Sequence, residues 1–81
     1  MEKEFDVVDF IISFEGGNIK DSDIVEGFQH LINSGIVWDL QGSYGRMADR
    51  LIEQEICKKE GEWSPQEAKD NFLNNRRKRV D

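Results

Sequence analysis

Glycine-centred stops constrain this chain more than any other feature. Gly16-Gly17-Asn18 and Asn33-Ser34-Gly35 supply residues that tolerate the left-handed conformation a helix needs at its end, and Gly42-Ser43 restarts the chain after a short apolar piece. The pieces between these stops are of helix length, and their apolar residues recur at helical rather than alternating spacing. With 81 residues and a single proline, the chain reads as one domain with a small core and little margin of stability. Residues 28–57 hold two of the helical patterns, one of the two tryptophans and the only histidine and cysteine. The remaining segments read as packing around that stretch.

The spacing predicts an all-α bundle: three main helices at about 6–15, 23–34 and 43–57, and a short C-terminal helix at about 64–77, with fraying at about 1–4 and 77–81. Asp6 is placed to cap the first helix, with Asp9 three residues on and Phe5 positioned to staple against Phe10. Val7, Phe10, Ile11 and Phe14 fall on one face, which Val8 and Ile12 widen. The same segment is rich in β-branched and aromatic residues, so a strand over residues 5–14 is the competing reading. Asp23 is the expected cap of the second helix, with Glu26 completing a capping box and Ile24, Phe28, Leu31, Ile32 and Gly35 forming its apolar stripe.

Residues 36–40 are too few for a full helix and too apolar for an exposed loop, so they read as one buried turn anchored by Trp38. Ser43 is the expected cap of the third helix. Its inner face is Tyr44, Met47, Ala48, Leu51 and Ile52, and Glu55 and Ile56 continue the period to Cys57. Ser64-Pro65-Gln66-Glu67 then gives a clear start signal: a serine cap, proline at the first helical position and a glutamate to close the box. Trp63 precedes it, ready to pack on Ala68, and Arg76 to Arg79 complement the helix dipole at the far end.

Charge is unevenly spread. Residues 1–40 carry nine carboxylates and two lysines, a net −7, whereas residues 41–81 carry eight acids and nine bases, a net +1. Such asymmetry speaks to partners, not to fold. An acidic front half repels nucleic acid and attracts basic protein surfaces, although carboxylates gathered at helix starts also serve solubility. One cysteine cannot form an internal disulfide, and the N-terminus lacks the basic and apolar pattern of a signal peptide, which together point to a reducing, cytoplasmic setting. No apolar run approaches the roughly 18 residues of a membrane-spanning helix. There is no internal repeat or low-complexity tract.

Candidates for chemistry are few. His30 lies one turn after Glu26 and two after Asp23, but no nucleophile is arranged to join it, and the plain reading is a partly exposed helix residue. Cys57 and His30 are two ligands where a closed zinc site needs four, so Cys57 reads as a small apolar plug. Asp21-Ser22-Asp23 lacks the glycine and distal glutamate of a calcium loop. Gly42-Ser43-Tyr44-Gly45-Arg46 can present backbone amides to an anion, with Ser43, Arg46 and Arg50 in reach. It lacks a Walker or dinucleotide pattern, and a turn, a cap and a close helix approach explain it as well. No cofactor, no metal and no catalytic residue is expected.

The run Trp38-Asp39-Leu40-Gln41-Gly42-Ser43-Tyr44-Gly45-Arg46, with Ala48, Leu51-Ile52 and Cys57 behind it and Phe28-Gln29-His30-Leu31-Ile32 ahead, resembles a family of small uncharacterised proteins of bacteriophages and related mobile elements. Members of that family usually read glycine-leucine-cysteine at the end of this core. Here Glu55-Ile56-Cys57 stands instead, so the third helix is expected to run further. The resemblance implies a phage-type origin and carries over no activity and no functional residues.

Two functional classes follow. The first is a non-enzymatic interaction protein that binds, in the manner of an anti-CRISPR inhibitor, a host defence or nucleic-acid-handling protein. Its acidic face would comprise Asp9, Glu15, Asp21, Asp23 and Glu26, with Trp63 as an interface anchor. The second is a small helix-turn-helix-like DNA-binding regulator using Ser43, Tyr44, Arg46 and Arg50 on a recognition helix and Arg76 and Arg77 on phosphates. The net charge favours the first. A homo-dimer is a further alternative, because Phe5, Phe10, Phe14, Trp38 and Trp63 present much apolar surface for a domain this small.

Overall fold

The computed structural model describes residues 5–78, with side chains described as far as Asn74. Among the described residues four helices form, α1 (Val7–Gly16), α2 (Asp21–Ser34), α3 (Gly42–Glu53) and α4 (Pro65–Lys78), with a 3-10 turn (Ile36–Asp39) between α2 and α3. No strand occurs among the described residues, so the all-α reading holds and the strand over residues 5–14 is excluded. Of the fraying expected at about 1–4 and 77–81, residues 1–4 and 79–81 lie outside the described residues, while 77 and 78 belong to α4.

Several local signals act as their chemistry dictates. Asp6 adopts an extended backbone and its carboxylate accepts the Asp9 N–H at 3.2 Å. Gly17 takes φ +78° at the end of α1, where its N–H donates to the Phe14 carbonyl and the Asn18 N–H reaches Ser13 O, both at 3.2 Å. Gly35 does the same for α2 at φ +81°. At the start of α4, Glu67 N–H donates to Ser64 Oγ at 3.2 Å while Ser64 N–H donates to Glu67 Oε1 at 2.8 Å, a complete capping box.

α2 is the axis of the molecule. Val25, Gly27, Phe28, Gln29, Leu31 and Ile32 are all buried, α4 packs along it, and the 3-10 turn bridges it to α3. Ala48, Cys57 and Ala68 are small, fully buried residues that let the surrounding segments close on it. α1 attaches through an aromatic cluster. Phe10 and Phe14 both meet Phe28 edge-on, at 5.7 and 5.5 Å, and Phe28 in turn stacks on Tyr44 at 6.0 Å. Phe10 lies over Gly27, where a Cβ would stand 2.7 Å from the ring's Cζ and closer still to Cε1.

Four expectations are corrected. α2 begins at Asp21, not Asp23, and its flanking residue Lys20 makes no side-chain cap bond. Asp23 and Glu26 form no capping box because both are turned to Lys69. Ser43 does not cap α3 either. The helix opens at Gly42 with Gln41 as its flank and no side-chain cap bond. Trp38 does not anchor the turn: Val37 is fully buried, while Trp38 is 49% exposed and lies over Gly45. The period of 3-10 backbone, three residues instead of 3.6, decides which of two adjacent apolar residues turns inward.

The fourth correction is the end of α3, which stops at Glu53 instead of running to Cys57. Glu55 takes the left-handed conformation, φ +61°, and the Ile56 and Cys57 N–H groups both return to the Leu51 carbonyl, at 2.8 and 3.1 Å. A glutamate therefore occupies a backbone position that costs a side-chain-bearing residue about 1–2 kcal/mol. Cys57 is thereby turned into the core, where its thiol donates to Val25 O at 3.6 Å.

Two variants probe these points. Gly27→Ala is expected to lower stability by about 1–3 kcal/mol through overpacking against Phe10, although alanine is the better helix former. Glu55→Gly, at an exposed site already in the left-handed region, is expected to raise stability by about 0.5–1 kcal/mol. Urea unfolding midpoints followed by circular dichroism measure both, and a neutral Gly27→Ala would contradict the close approach of α1.

Candidate functional site

An open groove of about 700 Å³ runs between α1 and the first half of α2. Its lining includes four carboxylates, Asp6 and Asp9 from α1 and its cap, and Asp23 and Glu26 from α2; Lys20 is its one lysine. The arrangement follows from local structure. α2 starts just after α1 ends, and Phe5, ahead of α1, stacks on His30, so the two helices run antiparallel. Asp6 and Asp9 come from the start of α1, Asp23 from the start of α2 at the other end, and Glu26 from between. Phe10 and Gly27 form part of the floor, because the missing side chain at Gly27 is what admits the ring.

Phe5 and His30 close one end, their rings stacked at 4.1 Å and 6° from parallel. Burial pushes the His30 imidazole below its usual pKa of 6.5, and the Glu26 carboxylate opposes that shift in part. On the far side of α2, Lys69 of α4 pairs with Asp23 at 3.4 Å and Glu26 at 3.5 Å. Glu26 foremost, with Asp23, raises the lysine's pKa against a smaller opposing effect of burial. The groove acids thus already hold one cation and leave Asp6 and Asp9 on the opposite wall.

Of the five acids nominated from the sequence, the structure brings Asp9, Asp23 and Glu26 together. Glu15 is elsewhere, its Oε2 accepting the Tyr44 hydroxyl at 2.7 Å, and Asp21 is exposed outside the groove lining. Burial first, and the hydrogen bond to Glu15 second, push the Tyr44 phenol up to about 12. Trp63 is half-buried against the core with the Lys58 ammonium 5.4 Å from its ring centre, so it is not a bare surface anchor. Ser43, Arg46 and Arg50 are exposed on α3, where Arg46 reaches back so that its Nη1 would lie 3.4 Å from a Cβ on Gly42. Tyr44 faces the core and is not available to a base edge. Arg76 and Arg77 fall in the last part of α4, beyond the described side chains.

Asp6, Phe5 and His30 were not foreseen as groove residues. Asp6 reads in the sequence as a helix cap, and one carboxylate cannot be seen to do two things until the neighbouring helix is placed. Gln29 and Asn33 were missed altogether, although Gln29 follows Val25 by four residues and adjoins Phe28, which puts it on the buried side of α2. Burial also pushes the Cys57 thiol up to about 12, consistent with its role as an apolar plug. No group of three or more histidine, cysteine or acidic side chains among the described residues is placed to hold a metal ion, and no described helix is long and apolar enough to cross a membrane.

Fold and groove together define a small helical domain with a groove whose lining includes four carboxylates. The chain belongs to the family described as a domain of unknown function (DUF7417), whose profile matches residues 1–72. No curated protein and no solved structure matches it.

The depressed His30 value makes a signed prediction. The folded protein binds this proton more weakly than the unfolded chain, so its contribution is fully present above pH 6.5 and is lost as pH falls below 6.5 through the lower folded value. His30→Phe keeps an aromatic ring against Phe5 and removes the titration. Urea midpoints at about pH 7.5 and about pH 5 are expected to differ less for the variant than for the wild type. Equal differences in the two proteins would contradict the burial of the imidazole.

Proposed function

We propose that this protein acts by binding a basic protein surface in the groove between α1 and α2, as a phage-type interaction protein directed at a host defence or nucleic-acid-handling complex. The observation that carries this reading is the convergence of Asp6, Asp9, Asp23 and Glu26 on one concave surface from both of its walls. Four carboxylates around a groove attract a surface that ordinarily holds a phosphate backbone, and they steer its approach over a Debye length or so. The pairing of Lys69 with Asp23 and Glu26, one ammonium on two of the four acids, supports this reading.

The mode of action is competitive occupancy rather than catalysis, and it needs no cofactor. A DNA-binding regulator is the second reading, supported by the exposure of Ser43, Arg46 and Arg50 on α3. It is the weaker of the two, because Tyr44 is committed to the core and Asp49 and Glu53 are exposed on the same helix.

The test is capture from bacterial lysate by wild-type protein and by an Asp9→Asn, Asp23→Asn, Glu26→Gln variant, followed by nucleic-acid competition with the captured subunit. A nucleic-acid-binding subunit retained by the wild type, held about tenfold more weakly by the variant and released by nucleic acid, is the expected result. Undiminished capture by the variant counts against the groove. Direct, salt-sensitive binding of duplex DNA that requires Arg46 and Arg50 would replace this reading with the second one.

A further inference from the structure

α1 is apolar on more sides than the core can use. Val7, Phe10, Ile11 and Phe14 pack inward, while Val8 and Ile12, one turn apart, remain each 65% exposed. In an amphipathic surface helix the outward row is polar, and a helix that is apolar all round is normally covered on all sides. The Val8–Ile12 row adjoins the Asp9–Ser13 row, since residues three and four apart are neighbours on a helix surface. Asp9 and Ser13 line the groove. The apolar ridge and the carboxylate-lined groove are therefore adjacent strips of one surface.

The charges beside the ridge determine what can cover it. Asp9 flanks it on the groove side, and Glu15, held by Tyr44, flanks it on the other. A second copy laid α1 against α1 would bring carboxylates against carboxylates, which disfavours self-pairing. The complementary surface is an apolar stripe bordered by lysine or arginine. A helix supplies such a stripe at matching spacing, because an i, i+4 ridge on one helix packs into the groove of another.

We propose that the ridge and the groove form a single seat for a basic amphipathic helix of the partner. Its apolar residues would rest on Val8 and Ile12 and its cations would reach Asp9, Asp23 and Glu26. This rests on the reading that the partner is basic, and it adds that charge alone is not what is recognised.

The experiment uses two synthetic peptides of about four helical turns and identical Leu/Lys composition, one amphipathic at helical spacing and one scrambled. Each is titrated calorimetrically into the wild type, a Val8→Ser/Ile12→Ser variant and the Asp9→Asn/Asp23→Asn/Glu26→Gln variant, with circular dichroism checking that all three are folded. The amphipathic peptide is expected to bind the wild type about tenfold or more tightly than the scrambled one, and the serine variant is expected to lose that preference. The amide variant is expected to lose the salt dependence.

Equal affinity for the two peptides, or a preference that survives in the serine variant, overturns the proposal while leaving the basic-partner reading intact. No binding of either peptide, together with capture that ignores the amide substitutions, overturns both. Wild-type self-association that the serine variant abolishes in sedimentation assigns the ridge to a second copy and overturns the proposal as well.

Discussion

The side-chain amide of Gln29 is fully buried in the middle of α2, and the rest of the chain is arranged to satisfy it. Its Nε2 donates to the Lys58 carbonyl at 2.9 Å and to Asn33 Oδ1 at 3.1 Å, while its Oε1 accepts the Lys58 N–H at 2.9 Å. Asn33, one turn on, donates to the Trp63 carbonyl and accepts the Gly61 N–H. Two amides on one helix thus pin both ends of the segment between α3 and α4. An unpaired buried amide costs on the order of 1–3 kcal/mol, so the segment cannot drift from this position without penalty. With its start held beside α2, α4 runs along the same helix and brings Ala68 and Lys69 to it.

That constraint also explains the strain at Glu55. For the Lys58 backbone to reach Gln29 and for Cys57 to enter the core beneath Val25, the chain must leave the helical path soon after Leu51. Helical continuation through residues 54–57, which the apolar period allows, would carry Cys57 and Lys58 away from both partners. The left-handed glutamate is the local cost of that exit, and burial of a fully enclosed thiol and three amide hydrogen bonds offsets it.

The opposite side of α2 is built differently, and the difference shapes the groove. α1 has no polar clamp comparable with Gln29. It is held by Phe10 over Gly27, by Phe14 against Phe28 and Tyr44, by the Phe5 and His30 stack, and at its far end by the Glu15 and Tyr44 hydrogen bond. Aromatic contacts of this kind fix an approach without filling the whole interface, and an open space that four carboxylates help to line remains between the two helices. Acidic charge and concavity therefore coincide at this groove, and the proposed binding mode draws on both.

The sequence by itself determined the helices. Asp6, Gly17, Gly35 and the Ser64 to Glu67 box act through bonds within four or five residues, so their consequences are readable one segment at a time. The apolar periods likewise gave most of the buried residues and the uneven charge. Only the tertiary structure decided matters that depend on what lies across the fold. Asp23 and Glu26 pair with Lys69, more than forty residues away, instead of capping their own helix. Val37 and not Trp38 turns inward, Glu55 takes the conformation that suits glycine, and Asp6 joins Glu26 at one groove. The physical reason is range: capping and periodicity are local, whereas satisfying a buried amide, seating a ring on a glycine and pairing a charge require partners that chain order does not reveal.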